Sequence, residues 1–328
     1  MQILFLIGNG FDINLNMETK YTDFCKYYQS LETESQLLKD LKSDIITNIV
    51  TWADLEKRLG EYTENLKSVE EFDEVYEDLI DKLGDYLEDL ETRIDLGLVN
   101  REKMYEYFCF PENSLPQADI NIIKPYRNGW GNFETDVNII TFNYTRTIER
   151  LFDNNYKDVL IGRNSGNNKI FLRNIYHIHG YCDDGLIMGV NDISQIKNSN
   201  FHNDRRITNA LVKTNNNKVQ RHTIDEICAE KISEANLICV FGSSIGDSDN
   251  TWWELVGRQL LDEEDCKLII FTSGNQLKKR FAYKKNRLED DKLELFLNKT
   301  KLSEEEKSVI SSKIFVSANT LMFRELLG

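Results

Sequence analysis

Hydrophobic positions along the chain follow two rhythms: short unbroken runs, and one long stripe with a seven-residue repeat. The opening segment Gln2–Ile7 is an apolar run stopped by Gly8, the pattern of a strand buried on both faces at the centre of a parallel sheet. The same reading predicts strands at Val137–Phe142, Ile175–Ile178, Leu237–Phe241, Lys267–Phe271 and Ile314–Val316, with Leu186–Met188 as a further candidate. Helices are expected at Tyr21–Gln29, capped by Thr19 or Thr22, at Arg146–Phe152, Thr223–Ala235 and Thr251–Leu261, and in a long charged stretch before the last strand. Gly162–Lys169, rich in Asn and Gly, reads as a loop. Strands alternating with helices of this length imply crossover connections and a parallel sheet covered on both faces.

The second rhythm runs from Trp52 to about Ile94, where Val69, Tyr76, Leu83 and Leu90 recur every seven residues and Phe72, Leu79 and Tyr86 fill the complementary offset. This predicts a long helix, with Ser68 and Glu71 forming a capping box. Its other faces carry many Glu and Asp residues, so the stripe either packs within the chain as an insertion or lid, or serves as a seam for a homo-oligomer. All three prolines, Pro111, Pro116 and Pro125, then fall between Phe110 and Tyr126, which predicts an extended connection. The expected organisation is an α/β domain made of residues 1–30 and 130–328, interrupted by an acidic helical insertion over residues 31–129.

Composition narrows the partners. A chain of 328 residues that is 41% hydrophobic can bury a sizeable core. No basic leader precedes Ile3–Ile7, which is too short to span a bilayer, so a cytoplasmic protein that does not enter the membrane is expected. The six cysteines form no C-x-x-C pair and are expected to be reduced and structural. A net charge of −15 argues against nucleic acid as a partner. Basic residues do gather at Arg205, Arg206, Lys213, Lys218 and Arg221, and again at Lys278, Lys279, Arg280, Lys284, Lys285 and Arg287, where they are expected to be solvated surface.

Ligands of open parallel sheets sit beyond the carboxyl ends of the strands, which directs attention to four segments. Gly8-Asn9-Gly10-Phe11-Asp12 is a glycine turn suited to close approach by a phosphate, or simply a tight turn; Ile13 stands where a full dinucleotide fingerprint has glycine. Thr141-Phe142-Asn143-Tyr144-Thr145 ends a strand with polar groups, where Asn143 can hold a ribose hydroxyl or a water, or cap a helix. In His177-Ile178-His179-Gly180, alternation puts both histidines on one side of a strand, with His179 placed to act as a general base. A structural pair and a metal site are the alternatives, but no third metal ligand is evident. Gly242-Ser243-Ser244-Ile245-Gly246 matches the nucleophile elbow of serine hydrolases, yet no histidine follows His222, and that fold requires one. A turn for a phosphate or adenosine fits better, with Ser248 or Asp249 capping the next helix.

Taken together, Ile7–Asp12 with Tyr21-Thr22-Asp23-Phe24, Trp52–Glu56, Phe142–Thr145, His177–Gly180, and Gly242–Ser244 with Asp249 resemble the AbiH family of phage abortive-infection proteins, themselves similar to Sir2-like NAD-binding proteins. The resemblance runs nearly end to end. It implies a Rossmann-like α/β fold of the Sir2/DHS kind and an effector that cleaves the nicotinamide–ribose bond of NAD. Carried over residue by residue, it makes Asn143 and His179 catalytic, the first holding water or ribose and the second taking up a proton. Gly8, Asn9, Gly10, Phe11, Asp12, Thr141, Tyr144, Gly242, Ser243, Ser244 and Asp249 would bind the nucleotide, with Glu56 and His177 as accessories. Glu56, one helical turn from Trp52, either reaches the site from the lid or pairs with a lysine.

NAD would be substrate or ligand, no cofactor or metal would be required, and a phage-derived trigger is implied. Thr145 replaces the aspartate of related T-x-N-Y-D sequences, which removes a carboxylate able to stabilise a cationic sugar. The paired cysteines of the sirtuin zinc module are also absent, which argues against protein deacetylation. The alternatives are a nucleotide-sensing module that works with a partner protein and, more remotely, a toxin acting on nucleic acid.

Overall fold

The computed structural model describes residues 1–272 and 282–326. Strand β1 (Gln2–Ile7) leads into helices α1 (Gly10–Asn14), α2 (Tyr21–Ser30), α3 (Gln36–Thr47), α4 (Leu55–Tyr62), α5 (Val69–Arg93), α6 (Arg101–Cys109) and α7 (Gln117–Gly129). Then come β2 (Thr135–Thr141), α8 (Thr147–Leu151), β3 (Val159–Arg163), β4 (Lys169–His177), α9 (Arg205–Leu211), α10 (Lys213–Val219) and α11 (Ile224–Ser233). The chain continues through β5 (Leu237–Phe241), α12 (Asn250–Asp262), β6 (Lys267–Phe271), α13 (Ala282–Lys299), α14 (Glu304–Ser311) and β7 (Ile314–Ser317). Lys278, Lys279 and Arg280 of the second basic cluster lie outside the described residues.

The strands form one sheet in the order β3-β4-β2-β1-β5-β6-β7. Only β3 is antiparallel, at the edge beside β4. If the six parallel strands are numbered in chain order, the sheet runs 3-2-1-4-5-6, the doubly wound order of dinucleotide-binding sheets. The order reverses between β1 and β5, and the loops after these two strands flank that crevice.

Alternation within β1 divides the core. Ile3, Phe5 and Ile7 pack with Phe108 and Phe323 on one face, and Leu4 and Leu6 with Trp253 and Phe296 on the other. Both sides are covered, so the strand needs no polar positions, and each fully buried large apolar side chain contributes about 1.5–3 kcal/mol. A third cluster holds the helical layer: α2, α3, α4 and α5 pack together and against Phe201, Ile207 and Leu211. All seven stripe residues of α5 are buried within the chain, so any self-association has to use another surface. By contrast, α6 and α7 join the sheet core through Phe108 and Ile123.

Several local expectations change. The stretch from Trp52 to Ile94 is broken because Asp54 and Ser68 each start a new helix, accepting from Lys57 N at 3.2 Å and Glu71 N at 3.3 Å. Glu71 closes no box; its carboxylate accepts from Lys67 N. Trp52 lies in a 3₁₀ turn and Glu56 in α4, so they do not share one helix. The proline segment is largely helical, because Pro111 opens a 3₁₀ turn and Pro116 caps α7, positions that need no N–H; only Pro125 sits inside the helix.

Neither Thr19 nor Thr22 caps α2, and the Thr19 hydroxyl donates to Asn9 Oδ1 instead. Leu186–Met188 forms no strand, and of the expected loop Gly162–Lys169, Gly162 and Arg163 belong to β3 and Lys169 opens β4. The six cysteines are free and buried, and burial pushes the Cys109 and Cys182 thiols up to about 12. Among the described residues no helix is long and apolar enough to cross a membrane.

Candidate functional site

A cleft of about 660 Å³ opens past the carboxyl ends of the central strands and is roofed by Tyr21, Ala53, Glu56 and Leu83 of the helical layer. Its volume falls in the range of small-molecule and cofactor sites, roughly 300–1,000 Å³. The four motifs converge here: Gly8, Asn9, Gly10 and Asp12 follow β1, Asn143 and Tyr144 follow β2, His179 follows β4, and Gly242, Ser243, Ser244 and Asp249 follow β5. Three candidates lie outside the lining. Phe11 is packed in the sheet core against Phe323, Thr141 is buried with its hydroxyl accepting from Asn143 N, and His177 is buried behind Asn143.

The glycines let two loops interlock. Gly10 N donates to Gly242 O and Gly8 N to Phe241 O, both at 2.9 Å. A β-carbon on Gly10 would stand 2.5 Å from the Gly242 α-carbon, and one on Gly242, whose φ is +71°, would stand 2.8 Å from that of Gly10. The space freed by the missing side chains is therefore filled by backbone of the other loop. Gly10→Ala is expected to lose about 1–3 kcal/mol in chemical denaturation. Gly129→Ala, where a new β-carbon meets nothing within 4 Å, is the matched control and should be near neutral.

Asp12 is 1% exposed and accepts from the Thr145 hydroxyl at 2.5 Å, while its Oδ1 has no partner. Burial raises its pKa to about 7 against the opposing pull of that hydrogen bond. The chain thus has a carboxyl group, supplied from α1 just after β1, directly against Thr145. Thr145 caps no helix, and neither does Asn143, because α8 begins at Thr147 with Arg146 in the N-cap position and no side-chain cap.

The opposite wall is an ion-pair network. Lys213 Nζ donates to Glu56 Oε2 and to Asp249 Oδ1, both at 2.8 Å, and Tyr144 donates to Glu56 Oε1 at 2.8 Å. Lys213 is only 5% exposed, in contrast to the solvated position expected from its basic neighbours. Its partners lie 157 and 36 residues away, so no local sequence signal marks it. Although burial alone would push the Asp249 carboxyl up, Lys213 and His179 hold it well below the usual carboxylate range. Lys213 shows the converse: burial lowers it, but Asp249 and Glu56 raise it above its ordinary value. Asp249 occupies the N-cap position of α12 without capping it, because its side chain is committed to this network.

Asp249 also fixes His179. Its Oδ1 lies 2.8 Å from Nε2, closer than Lys213 Nζ at 3.4 Å on the same nitrogen, and an ionised carboxylate only accepts, so Nε2 carries the proton. The Nδ1 lone pair is then free, and that atom is buried with no partner. Asn143 Nδ2 is likewise buried and unpartnered. His177 is turned to other work, because the strand ends there: its Nδ1 meets Asn143 O at 2.9 Å and its Nε2 meets Glu149 at 2.6 Å. A carbonyl only accepts, so His177 Nδ1 donates and anchors the Asn143 backbone. Among the described residues no group of three or more His, Cys, Asp or Glu is placed to hold a metal ion.

Fold and site together define a Rossmann-like α/β protein with a roofed polar cleft at its strand ends. Residues 4–271 match the family described as bacteriophage abortive infection AbiH, and the chain belongs to that family. Membership assigns it an antiphage role through abortive infection. No curated protein matches the chain.

Proposed function

We propose that the cleft binds NAD and hydrolyses its nicotinamide–ribose bond when phage infection triggers the protein. The observation that carries this reading is the set of unpartnered buried atoms on one cleft: Asp12 Oδ1, Asn143 Nδ2 and His179 Nδ1. Folding leaves these groups unsatisfied, and a ligand rich in hydroxyls would satisfy them. A carboxylate, an amide donor and an oriented imidazole also match the needs of an oxocarbenium-like transition state. In the proposed step the C1′–N bond breaks and nicotinamide leaves with the bonding electrons. Water held by Asn143 forms the new C–O bond, and its proton passes to His179 Nδ1. Asp12, once ionised, faces the transient positive charge. The Sir2-like resemblance and the doubly wound strand order favour the same ligand class.

The test is nicotinamide release from NAD by the full chain, alone and with extract of phage-infected cells. His179→Ala and Asn143→Ala are each expected to lower the rate about 100-fold or more while melting cooperatively. Equal turnover in both variants would overturn the assignment. A rise in melting temperature with NAD and no turnover under either condition would instead establish a nucleotide-sensing module.

A further inference from the structure

One cation on the cleft wall belongs to none of the sequence motifs. Lys292, on α13, lines the cleft beside the Gly242–Ser244 turn, beyond the residues 4–271 that carry the family match. Its ammonium donates to two backbone oxygens, Ser243 O at 3.3 Å and Ser244 O at 3.1 Å. Among the described residues it forms no ion pair, whereas Lys57 and Lys299 nearby are both tied to Asp247. Burial without a compensating carboxylate brings the ammonium down to about 8.

In a chain of net charge −15 acidic partners are abundant, and Asp12, Asp54, Glu56 and Asp249 line this same cleft. A half-buried lysine that engages none of them, with one of its three N–H groups uncommitted, is a desolvated charge awaiting an anion. Its place in the cleft indicates which part of a ligand it would meet. The loop Gly242–Asp249 begins at the carbonyls that hold Lys292 and ends at the carboxylate that orients His179. Cation and base therefore stand at the two ends of one loop.

We propose that Lys292 forms the anion subsite of the cleft and takes a phosphoryl group of the ligand, so that the site selects phosphorylated nucleosides over free nucleosides. This rests on the nucleotide reading above and names the part of the substrate that confers selectivity. Contact with a phosphoryl oxygen replaces lost hydration by a charge-assisted hydrogen bond, the stronger kind.

The experiment is calorimetric titration of the full chain with ADP-ribose, adenosine and inorganic pyrophosphate, using wild type, Lys292→Gln and Lys292→Arg, with melting curves to confirm folding. Lys292→Gln is expected to weaken ADP-ribose about tenfold while leaving adenosine unchanged, and Lys292→Arg is expected to retain most of the affinity. Unchanged ADP-ribose binding in Lys292→Gln overturns the subsite, as does an equal loss for ADP-ribose and adenosine. Pyrophosphate carries no nucleoside and reads the subsite by itself. If wild type binds it and the Gln variant does not, the subsite stands even should NAD never be cleaved; if wild type binds neither pyrophosphate nor ADP-ribose, the subsite is lost.

Discussion

Lys213→Met is expected to destabilise the folded chain by about 3–5 kcal/mol, because it leaves two buried carboxylates facing each other without their shared cation. The methionine keeps most of the aliphatic stem, so the loss reports the ammonium and not a cavity. A typical domain is stable by only about 5–15 kcal/mol, so the variant stands near its folding threshold. Adding Glu56→Gln should recover part of the loss, since Asp249 then retains His179 as its partner. The Asp249 carboxyl is held below its ordinary value, so its contribution is present at neutral pH and fades as acid protonates it. In the variant the two carboxylates, left without their cation, take up protons more readily, so the gap to wild type narrows toward pH 4. Urea denaturation at pH 7.5 and pH 4 measures both effects, and a loss under about 1 kcal/mol at pH 7.5 would contradict a buried network.

Asp12→Asn has the opposite sign. The Asp12 carboxyl rises from 3.8 to about 7 on folding, which corresponds to a penalty of about 4 kcal/mol at and above pH 7. Between these two values the folded state holds a proton that the unfolded state has released, so stability falls as pH rises through that window and is level beyond it. Asparagine keeps the shape and can still accept from Thr145, but carries no charge. The variant should therefore melt higher than wild type at pH 7.5, with the advantage vanishing toward pH 4. Under the proposed chemistry it should also release nicotinamide more slowly, because the carboxylate facing the cationic sugar is gone. Greater stability with lower activity would mark Asp12 as a residue kept for function at the expense of the fold. Equal melting at pH 7.5 would show that its charge is already satisfied.

What the sequence disclosed follows from what each residue touches. The central strands were legible because burial on both faces turns them into unbroken apolar runs, as in Gln2–Ile7 and Leu237–Phe241. Edge strand β3 has only the three apolar residues Val159–Ile161, of which Val159 and Leu160 remain partly or largely exposed; it was not read as a strand, and its end Gly162–Arg163 passed for loop. Pro111 and Pro116 suggested an extended connection, yet each opens a helical segment where a missing N–H costs nothing. The strand-end rule found Asn143, His179 and Asp249 because it rests on chain topology. It placed His177 with His179 because strand alternation was carried two residues past the end of β4, which stops at His177. Lys213 and Lys292 escaped notice because a lysine buried by distant partners looks, in sequence, like any lysine on a surface helix.

The interlock of Gly10 with Gly242 bears on how the protein is made. β1 is synthesised first, yet its neighbours in the sheet are β2 and β5, and its turn is keyed to backbone that leaves the ribosome more than two hundred residues later. A nascent chain extended only as far as residue 200 contains Asn143 and His179 but lacks Lys213 and Asp249, and its imidazole has no carboxylate to set the tautomer. Such non-local pairing is slow to form and completes late. Under the proposed chemistry, late completion would act as a safeguard, keeping unfinished copies on polysomes inactive toward the cell that is translating them.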